Sequence, residues 1–130
     1  MHAVDTSVLV RFLTANDAAQ SAAAERLLTS GGVFIAKSVL LEAEWVLRSA
    51  YGRPRRELAL VFQSIADAGE VVIEDEPSVR RAIAWFAAGL DFADALHLSS
   101  RREGVEFLTF DKGLVSASRR VGAAGVRKLA

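Results

Sequence analysis

The chain has 130 residues, which is enough for one domain but not for two of ordinary size. Hydrophobic residues make up 52% and charged residues 25%, so the chain can bury a sizeable core and is not a disordered tail. The 16 Lys and Arg balance the 16 Asp and Glu, which argues against a basic footprint over the whole molecule and against a polybasic membrane anchor. The absence of cysteine excludes disulfides, thiolate zinc sites, iron–sulfur clusters and a cysteine nucleophile.

No membrane segment or signal peptide is apparent. The uncharged stretches are shorter than the about 20 residues that span a bilayer. The N-terminus lacks a basic segment followed by an apolar one, and Asp5 interrupts it almost at once. We therefore expect no membrane association and a cytoplasmic location.

Short apolar runs alternate with longer amphipathic segments along the chain. In chain order they predict a strand at 3–4, helices over 6–13 and 17–28, a strand over 33–35, helices over 38–50 and 54–68, a strand over 71–73, helices over 77–88 and 91–103, a strand over 107–110 and a fifth strand around Val126. Ser38 is the predicted N-cap of its helix. Strands separated by helices imply βαβ units. We therefore predict a single α/β domain over residues 1–130, a three-layer α/β/α sandwich around a parallel sheet of four to five strands.

Two of the predicted strands lead directly into an aspartate. Asp5 follows the first strand and precedes Thr6 and Ser7, and Asp111 follows Thr109 and Phe110. The carboxyl ends of parallel strands lie at one edge of the sheet, where ligands of open α/β sheets bind. Each aspartate also suits the N-cap of a following helix, where its carboxylate satisfies free N–H groups. The sequence alone does not decide between a functional role and a capping role for either aspartate.

The helix predicted over 38–50 contributes a third acid, Glu42. Helical spacing places Glu42 on a face with Trp45 and Val46, and we expect this apolar face to point inward. A carboxylate on an inward face needs a partner, a proton or a metal. Glu44 lies on the opposite face, four residues before Arg48, and is predicted to form a surface ion pair. The alternative for Glu42 is a place at the edge of the helix.

Asp91 and Asp94 open another helix. Asp91 suits its N-cap, and Asp94 follows one turn later, where it either completes a variant of the capping box or points toward the acidic edge of the sheet. Acids that converge on one edge repel each other unless a divalent cation neutralises them. Oxygen ligands without cysteine suit Mg²⁺ or Mn²⁺. Such a site is typical of metal-assisted hydrolysis of phosphodiesters.

Four segments resemble, in order and spacing, the four motifs of PIN-domain proteins: VDTSVLVRFL at 4–13, VLLEAEWVL at 39–47, LDFADALH at 90–97 and LTFD at 108–111. The resemblance covers essentially the whole chain. Among PIN-domain proteins, the chain is most similar to small single-domain bacterial ribonucleases of the VapC toxin type.

This resemblance implies an Mg²⁺-dependent or Mn²⁺-dependent RNA endonuclease that forms a homodimer and is neutralised by a cognate antitoxin protein. It assigns catalytic and metal-binding roles to four acids: Asp5, Glu42, Asp94 and Asp111. It assigns accessory roles to Asp91, Thr6, Ser7 and Thr109. Ser7 stands where the family often has Asn, and a serine can still donate a hydrogen bond to a carboxylate.

Several other polar and aromatic residues have both a functional and a structural interpretation. His97 lies one turn after the acid of the third motif, where it is either a metal ligand or a packing or surface histidine. Two arginine pairs, Arg101–Arg102 and Arg119–Arg120, are candidates for contacts with the RNA backbone, and solvated helix faces are the alternative. The two tryptophans, Trp45 and Trp85, are expected in the core or at an interface rather than as platforms for stacked bases.

Three other functions suit a parallel sheet with acids at its carboxyl edge less well than a nuclease does. A phospho-receiver domain needs an acidic pair after its first strand and a lysine after its last, whereas this chain offers Asp5 alone and a nearly terminal Lys128. A phosphatase of the haloacid-dehalogenase type needs a second aspartate two residues after the first, and Ser7 stands there. A catalytically silent PIN-like binding module is the remaining alternative, against which the four intact acids argue.

Overall fold

The computed structural model describes residues 1–130. The chain divides into two compact units, Met1–Glu76 and Pro77–Ala130. The first unit contains β1 (His2–Ala3), α1 (Thr6–Thr14), α2 (Ala18–Ser30), β2 (Val33–Ile35), α3 (Lys37–Ser49), α4 (Arg55–Ala68) and β3 (Val71–Ile73). Helix α5 (Glu76–Ala87) begins at the boundary, and α6 (Phe92–Ser99), β4 (Phe107–Thr109), α7 (Lys112–Arg120) and β5 (Val126–Lys128) follow in the second unit.

The first unit is built on a parallel three-stranded sheet in the order β1-β2-β3. Ala3 pairs with Phe34, and Val33 and Ile35 pair with Val71 and Ile73. The central strand, β2, buries Val33 and Ile35 completely. Each connection between neighbouring strands contains two helices, which is how parallel strands are usually joined. The carboxyl ends of the strands, where Asp5 follows β1, therefore share one edge of this sheet.

Helix α3 begins without a capping side chain of its own, because its N-cap residue is Ala36. The carboxylate of Glu74, just after β3, accepts a hydrogen bond from the Lys37 N–H at 2.8 Å instead. The Lys37 ammonium group lies 2.8 Å from the Asp75 carboxylate. The predicted N-cap role of Ser38 is therefore wrong, because a carboxylate from a distant part of the chain satisfies the start of this helix.

The second unit contains a parallel pair of strands, with Phe107 opposite Val126 and Thr109 opposite Lys128. Helix α7 connects the two strands and packs against both. Phe86 of α5 and Phe92 of α6 make an edge-to-face contact, with ring centroids 5.2 Å apart and planes inclined by 71°. Both rings are buried and form the centre of this unit's core.

The predicted α/β class with parallel strands and helical connections is confirmed, and the elements are compatible with a three-layer α/β/α fold. The larger sheet has three strands, whereas one sheet of four to five was predicted, because apolar runs identify strands without specifying which of them pair. The helix predicted over 91–103 ends at Ser99, and α7 was not among the predicted helices. That residues 1–130 form a single domain stays a prediction. None of the helices has the length and apolar character needed to cross a membrane.

Candidate active site

Asp5 lies at the edge of the first unit's sheet and caps α1. Its backbone is extended, and its Oδ1 accepts hydrogen bonds from the Ser7 hydroxyl at 2.5 Å and from the Val8 N–H at 3.3 Å. The Ser7 hydroxyl, followed by the Val8 N–H, lowers the pKa of the Asp5 carboxyl below its ordinary value. The predicted capping role is thus real, and it leaves an exposed, ionised carboxylate in a fixed orientation after β1.

Thr6 connects the first turn of α1 to Glu42 of α3. The Thr6 hydroxyl donates a hydrogen bond to Oε1 of Glu42, which is exposed and lies 36 residues away in sequence. Since Thr6 directly follows Asp5, this bond brings the Glu42 carboxylate to the same turn that Asp5 caps. Through Thr6, the structure therefore places two of the predicted site acids, Asp5 and Glu42, beside the same turn.

The predicted orientation of α3 is wrong. Glu44 is only 2% exposed, whereas Trp45 is 60% exposed. The buried face of the helix contains Glu44 together with Leu40, Ala43 and Leu47. The predicted ion pair does form, with Arg48 Nε 2.8 Å from Glu44 Oε2, but the carboxylate is in the core rather than in solvent. The argument that Glu42 points inward therefore fails, and its contact with Thr6 takes the place of that argument.

In the second unit, Asp91 caps α6, and its Oδ2 accepts a hydrogen bond from the Asp94 N–H at 3.2 Å. Asp94 is partly buried. Burial raises the pKa of the Asp94 carboxyl, the charges of Asp91 and Asp111 raise it further, and the neighbouring His97 lowers it. Asp91 and Asp111 therefore both act electrostatically on Asp94.

Asp111 caps α7 directly after β4. Its Oδ1 accepts hydrogen bonds from the Gly113 N–H at 2.8 Å and the Leu114 N–H at 3.2 Å. Its own N–H donates to the Thr109 hydroxyl at 2.9 Å. A Cβ atom at Gly113 would lie only 3.1 Å from Oδ1, so glycine allows this close approach. Asp111 is exposed, and Thr109 supports it through the backbone, as the accessory role implies.

The site acids offer only oxygen ligands. No group of three or more His, Asp or Glu side chains in the structure is arranged to hold a metal ion. The chemistry of the donors nevertheless fits a hard divalent cation, because carboxylate oxygens are the ligands that Mg²⁺ and Mn²⁺ prefer. A cation would also offset the like charges that act on Asp94.

A family model for the PIN domain matches residues 3–119, which include all four motif segments. The chain belongs to the PIN-domain family. PIN domains are generally nucleases, and PIN nucleases typically use divalent metals. No curated protein and no solved structure matches this PIN domain.

The basic residues of this PIN domain that were proposed to contact the RNA backbone differ in their surroundings. Arg101 directs its guanidinium group into the protein, where it donates to the carbonyl groups of Val105, Ala124 and Gly125, so it is a structural brace. Arg102, both members of the Arg119–Arg120 pair and His97 are exposed. Arg81, which lines a pocket together with Trp85 and Arg102, was not among the residues proposed from the sequence. Its position one helical turn before Trp85 is the pattern that could have identified it.

Proposed function

We propose that this PIN domain is a divalent-metal-dependent endoribonuclease and the toxin of a VapC-type toxin–antitoxin pair. The observation that carries the proposal is the Asp5 carboxylate, which Ser7 and Val8 hold ionised and oriented after β1 in a chain that belongs to the PIN family. The proposed catalytic and metal-binding acids are Asp5, Glu42, Asp94 and Asp111.

Contacts in the structure support three of the four proposed acids, Asp5, Glu42 and Asp111. Asp5 contributes an exposed carboxylate whose pKa the Ser7 hydroxyl and the Val8 N–H lower. Thr6 orients Glu42, and Thr109 supports the backbone that presents Asp111. These carboxylates would hold an Mg²⁺ or Mn²⁺ ion, which would lower the pKa of a water and offset charge on the phosphate.

An apolar groove in the first unit supports the antitoxin as partner. The groove measures about 370 Å³, and the side chains of Leu9, Phe12, Leu13, Leu60 and Ile65 contribute to its lining. Leu60 is 65% exposed at this groove, and an exposed apolar patch marks a surface for a protein partner. A groove of this kind suits the apolar face of an amphipathic helix. We therefore propose that the antitoxin contacts Leu60.

The homodimer has a separate candidate contact. Trp45 projects from α3 with 60% of its surface exposed. Tryptophan is enriched in protein interfaces, where its ring provides a large contact area. We propose that Trp45 lies in the dimer interface, and Trp45→Ala should shift the sedimentation of the protein toward the monomer.

Replacement of Asp5 tests the proposed chemistry. Asp5→Asn keeps the size of the side chain but removes its charge, and should abolish Mg²⁺-dependent or Mn²⁺-dependent RNA cleavage and relieve growth inhibition on expression. Asp17→Asn is the matched control, because Asp17 also caps a helix of this unit and accepts from the Gln20 N–H at 3.0 Å. Asp17→Asn should retain cleavage. A folded Asp5→Asn variant with full cleavage would contradict the mechanism.

The toxin role needs its own experiment. The product of the adjacent reading frame should inhibit cleavage at about one partner chain per nuclease chain, and Leu60→Asp should weaken this inhibition without lowering the cleavage rate. Inhibition that excess Mg²⁺ fully reverses would show that the partner only removes metal. Metal-independent RNA binding without cleavage would favour the catalytically silent module instead.

A further inference from the structure

A second pocket lies in the second unit, and none of the proposed site acids lines it. It measures about 640 Å³, and its lining includes Arg81, Trp85, Arg101, Arg102, Glu103 and Gly125. We call it the arginine pocket. The segments 103–106 and 124–125 that line it precede β4 and β5, whereas Asp111 follows β4. Because the two strands are parallel, the pocket and Asp111 lie at opposite edges of this strand pair.

Arg101 gives the arginine pocket a defined wall. Its guanidinium group donates to the carbonyls of Gly125 at 3.1 Å and Val105 at 3.2 Å, and also to that of Ala124. Gly125 has a φ of +76°, and a Cβ atom there would lie 3.1 Å from the nearer guanidinium nitrogen. The positive φ favours glycine at this position, and a larger residue would also crowd the Arg101 guanidinium group.

The arginine pocket has a surplus of positive charge. Arg81 and Arg102 are exposed, and their guanidinium groups have no hydrogen-bond or ion-pair partner in the structure. Glu106, which also lines the pocket, is neutralised by two contacts of 3.0 Å with Arg127. Glu103 is then the one acid that faces the three arginines of the lining. Guanidinium groups with free donors suit phosphate oxygens.

Trp85 adds an aromatic surface beside these cations. It lies on α5 one turn after Arg81, so the two side chains share a face of the helix. Trp85 is partly exposed and lines the pocket, so it does not belong entirely to the core, contrary to one of the expectations from sequence. An indole ring can stack on any nucleobase, and stacking beside basic side chains is a common mode of binding single-stranded nucleic acid.

We propose that the arginine pocket binds a nucleotide unit, with its phosphate on Arg81 and Arg102 and its base stacked on Trp85. The volume lies within the about 300–1,000 Å³ typical of small-ligand pockets. The bound nucleotide is either a free nucleotide or one residue of an RNA strand that crosses the second unit of the protein. The second source rests on the proposed ribonuclease function, whereas the first does not.

Tryptophan fluorescence tests the proposal directly. The chain has two tryptophans, so Trp45→Phe leaves Trp85 as the only indole that reports. In EDTA, where metal-dependent cleavage is blocked, adenosine monophosphate or a short oligouridylate should quench Trp85 saturably. Inorganic phosphate should compete with them without quenching. Saturable quenching by the oligomer alone identifies an RNA strand as the source, and comparable affinity for the monophosphate identifies a free nucleotide.

Charge variants complete the test. In the same Trp45→Phe background, Arg81→Gln combined with Arg102→Gln should weaken nucleotide binding at least about tenfold, because each removes a charge-assisted hydrogen bond. Glu103→Gln should tighten binding. Arg56→Gln is the matched control, since Arg56 is an exposed arginine on α4 in the first unit, and it should change nothing.

Absence of saturable quenching by both probes would overturn the proposal, as would equal binding by the double arginine variant. The outcome is independent of catalysis. An Asp5→Asn protein that no longer cleaves RNA should still show Trp85 quenching, so the arginine pocket and the nuclease site can fail separately.

Discussion

The Ser7 hydroxyl lies 2.5 Å from Oδ1 of Asp5 and donates a hydrogen bond to it. This bond is the largest single cause of the lowered pKa of Asp5, ahead of the Val8 N–H. The side chain that stands where PIN proteins often have asparagine is thus an active donor to the first acid of the proposed site.

Ser7→Ala should raise the pKa of the Asp5 carboxyl toward its ordinary value of 3.8, because the stronger of its two hydrogen bonds is lost. Ser7→Asn keeps a donor and should keep the pKa low. Carboxyl NMR titration in EDTA measures both. An unchanged pKa in Ser7→Ala would show that the Ser7 hydroxyl does not lower the pKa of this carboxyl.

Arg48→Gln should destabilise the fold by about 2–3 kcal/mol, since it leaves the Glu44 carboxylate buried without its cation. Glu44→Gln should cost less, about 1 kcal/mol, because a neutral amide is easier to bury and Arg48 is half exposed. Urea unfolding measures both values. RNA cleavage per folded molecule should stay unchanged in Glu44→Gln. Wild-type stability in both variants would mean that Glu44 is hydrated, as the sequence had suggested.

Asp94→Asn should raise the melting temperature of the metal-free protein at neutral pH. The pKa of Asp94 is raised in the folded state, so its ionisation opposes folding at neutral pH, and this penalty disappears as the pH falls toward its ordinary value of 3.8. Solvent screens the partly exposed group, so we expect a gain below about 1 kcal/mol. Glu25→Gln, which removes an exposed charge from α2, is the control.

Saturating Mn²⁺ provides the second half of that experiment. It should raise the melting temperature of wild type more than that of Asp94→Asn, because a ligand that binds only the native state stabilises it in proportion to its affinity. A variant that melts lower than wild type without metal and responds equally to Mn²⁺ would return Asp94 to a capping role.

Glu106→Gln should lower the melting temperature at pH 7 but not at pH 3. Arg127 lowers the pKa of Glu106, so the pair stabilises the fold above the ordinary glutamate value of 4.5, and this contribution is lost as the pH falls through the pKa of the folded state. Equal effects at both pH values would contradict an electrostatic origin.

Local patterns predicted the strands over 33–35 and 71–73 and the capping positions of Asp5, Asp91 and Asp111, because these features depend on a few adjacent residues. The phase of α3 could not be obtained in this way. A glutamate next to a tryptophan suggests that the tryptophan is inside, but the burial of Glu44 depends on Arg48 covering its charge. The pairing of short strands depends likewise on distant contacts.

The contacts around the proposed site acids could not be predicted from local patterns. The acids were proposed from their position after strands and their resemblance to a family, whereas the bond from Thr6 to Glu42 joins residues 36 positions apart and follows no local rule. The same applies to Arg101, whose three carbonyl partners lie in two separate loops. The sequence does not distinguish an arginine that is free in solvent from one that holds two loops together by hydrogen bonds.

The cap that Glu74 provides for α3 has a consequence for local opening. The first-turn amide of Lys37 is protected by a carboxylate that reaches it only while β3 remains paired with β2. Separation of β3 from the sheet therefore also uncovers the start of the helix that carries Glu42. Hydrogen exchange at Lys37 and in β3 should then occur through one shared opening event, so the edge of this sheet and the helix beside the proposed site form one cooperative unit.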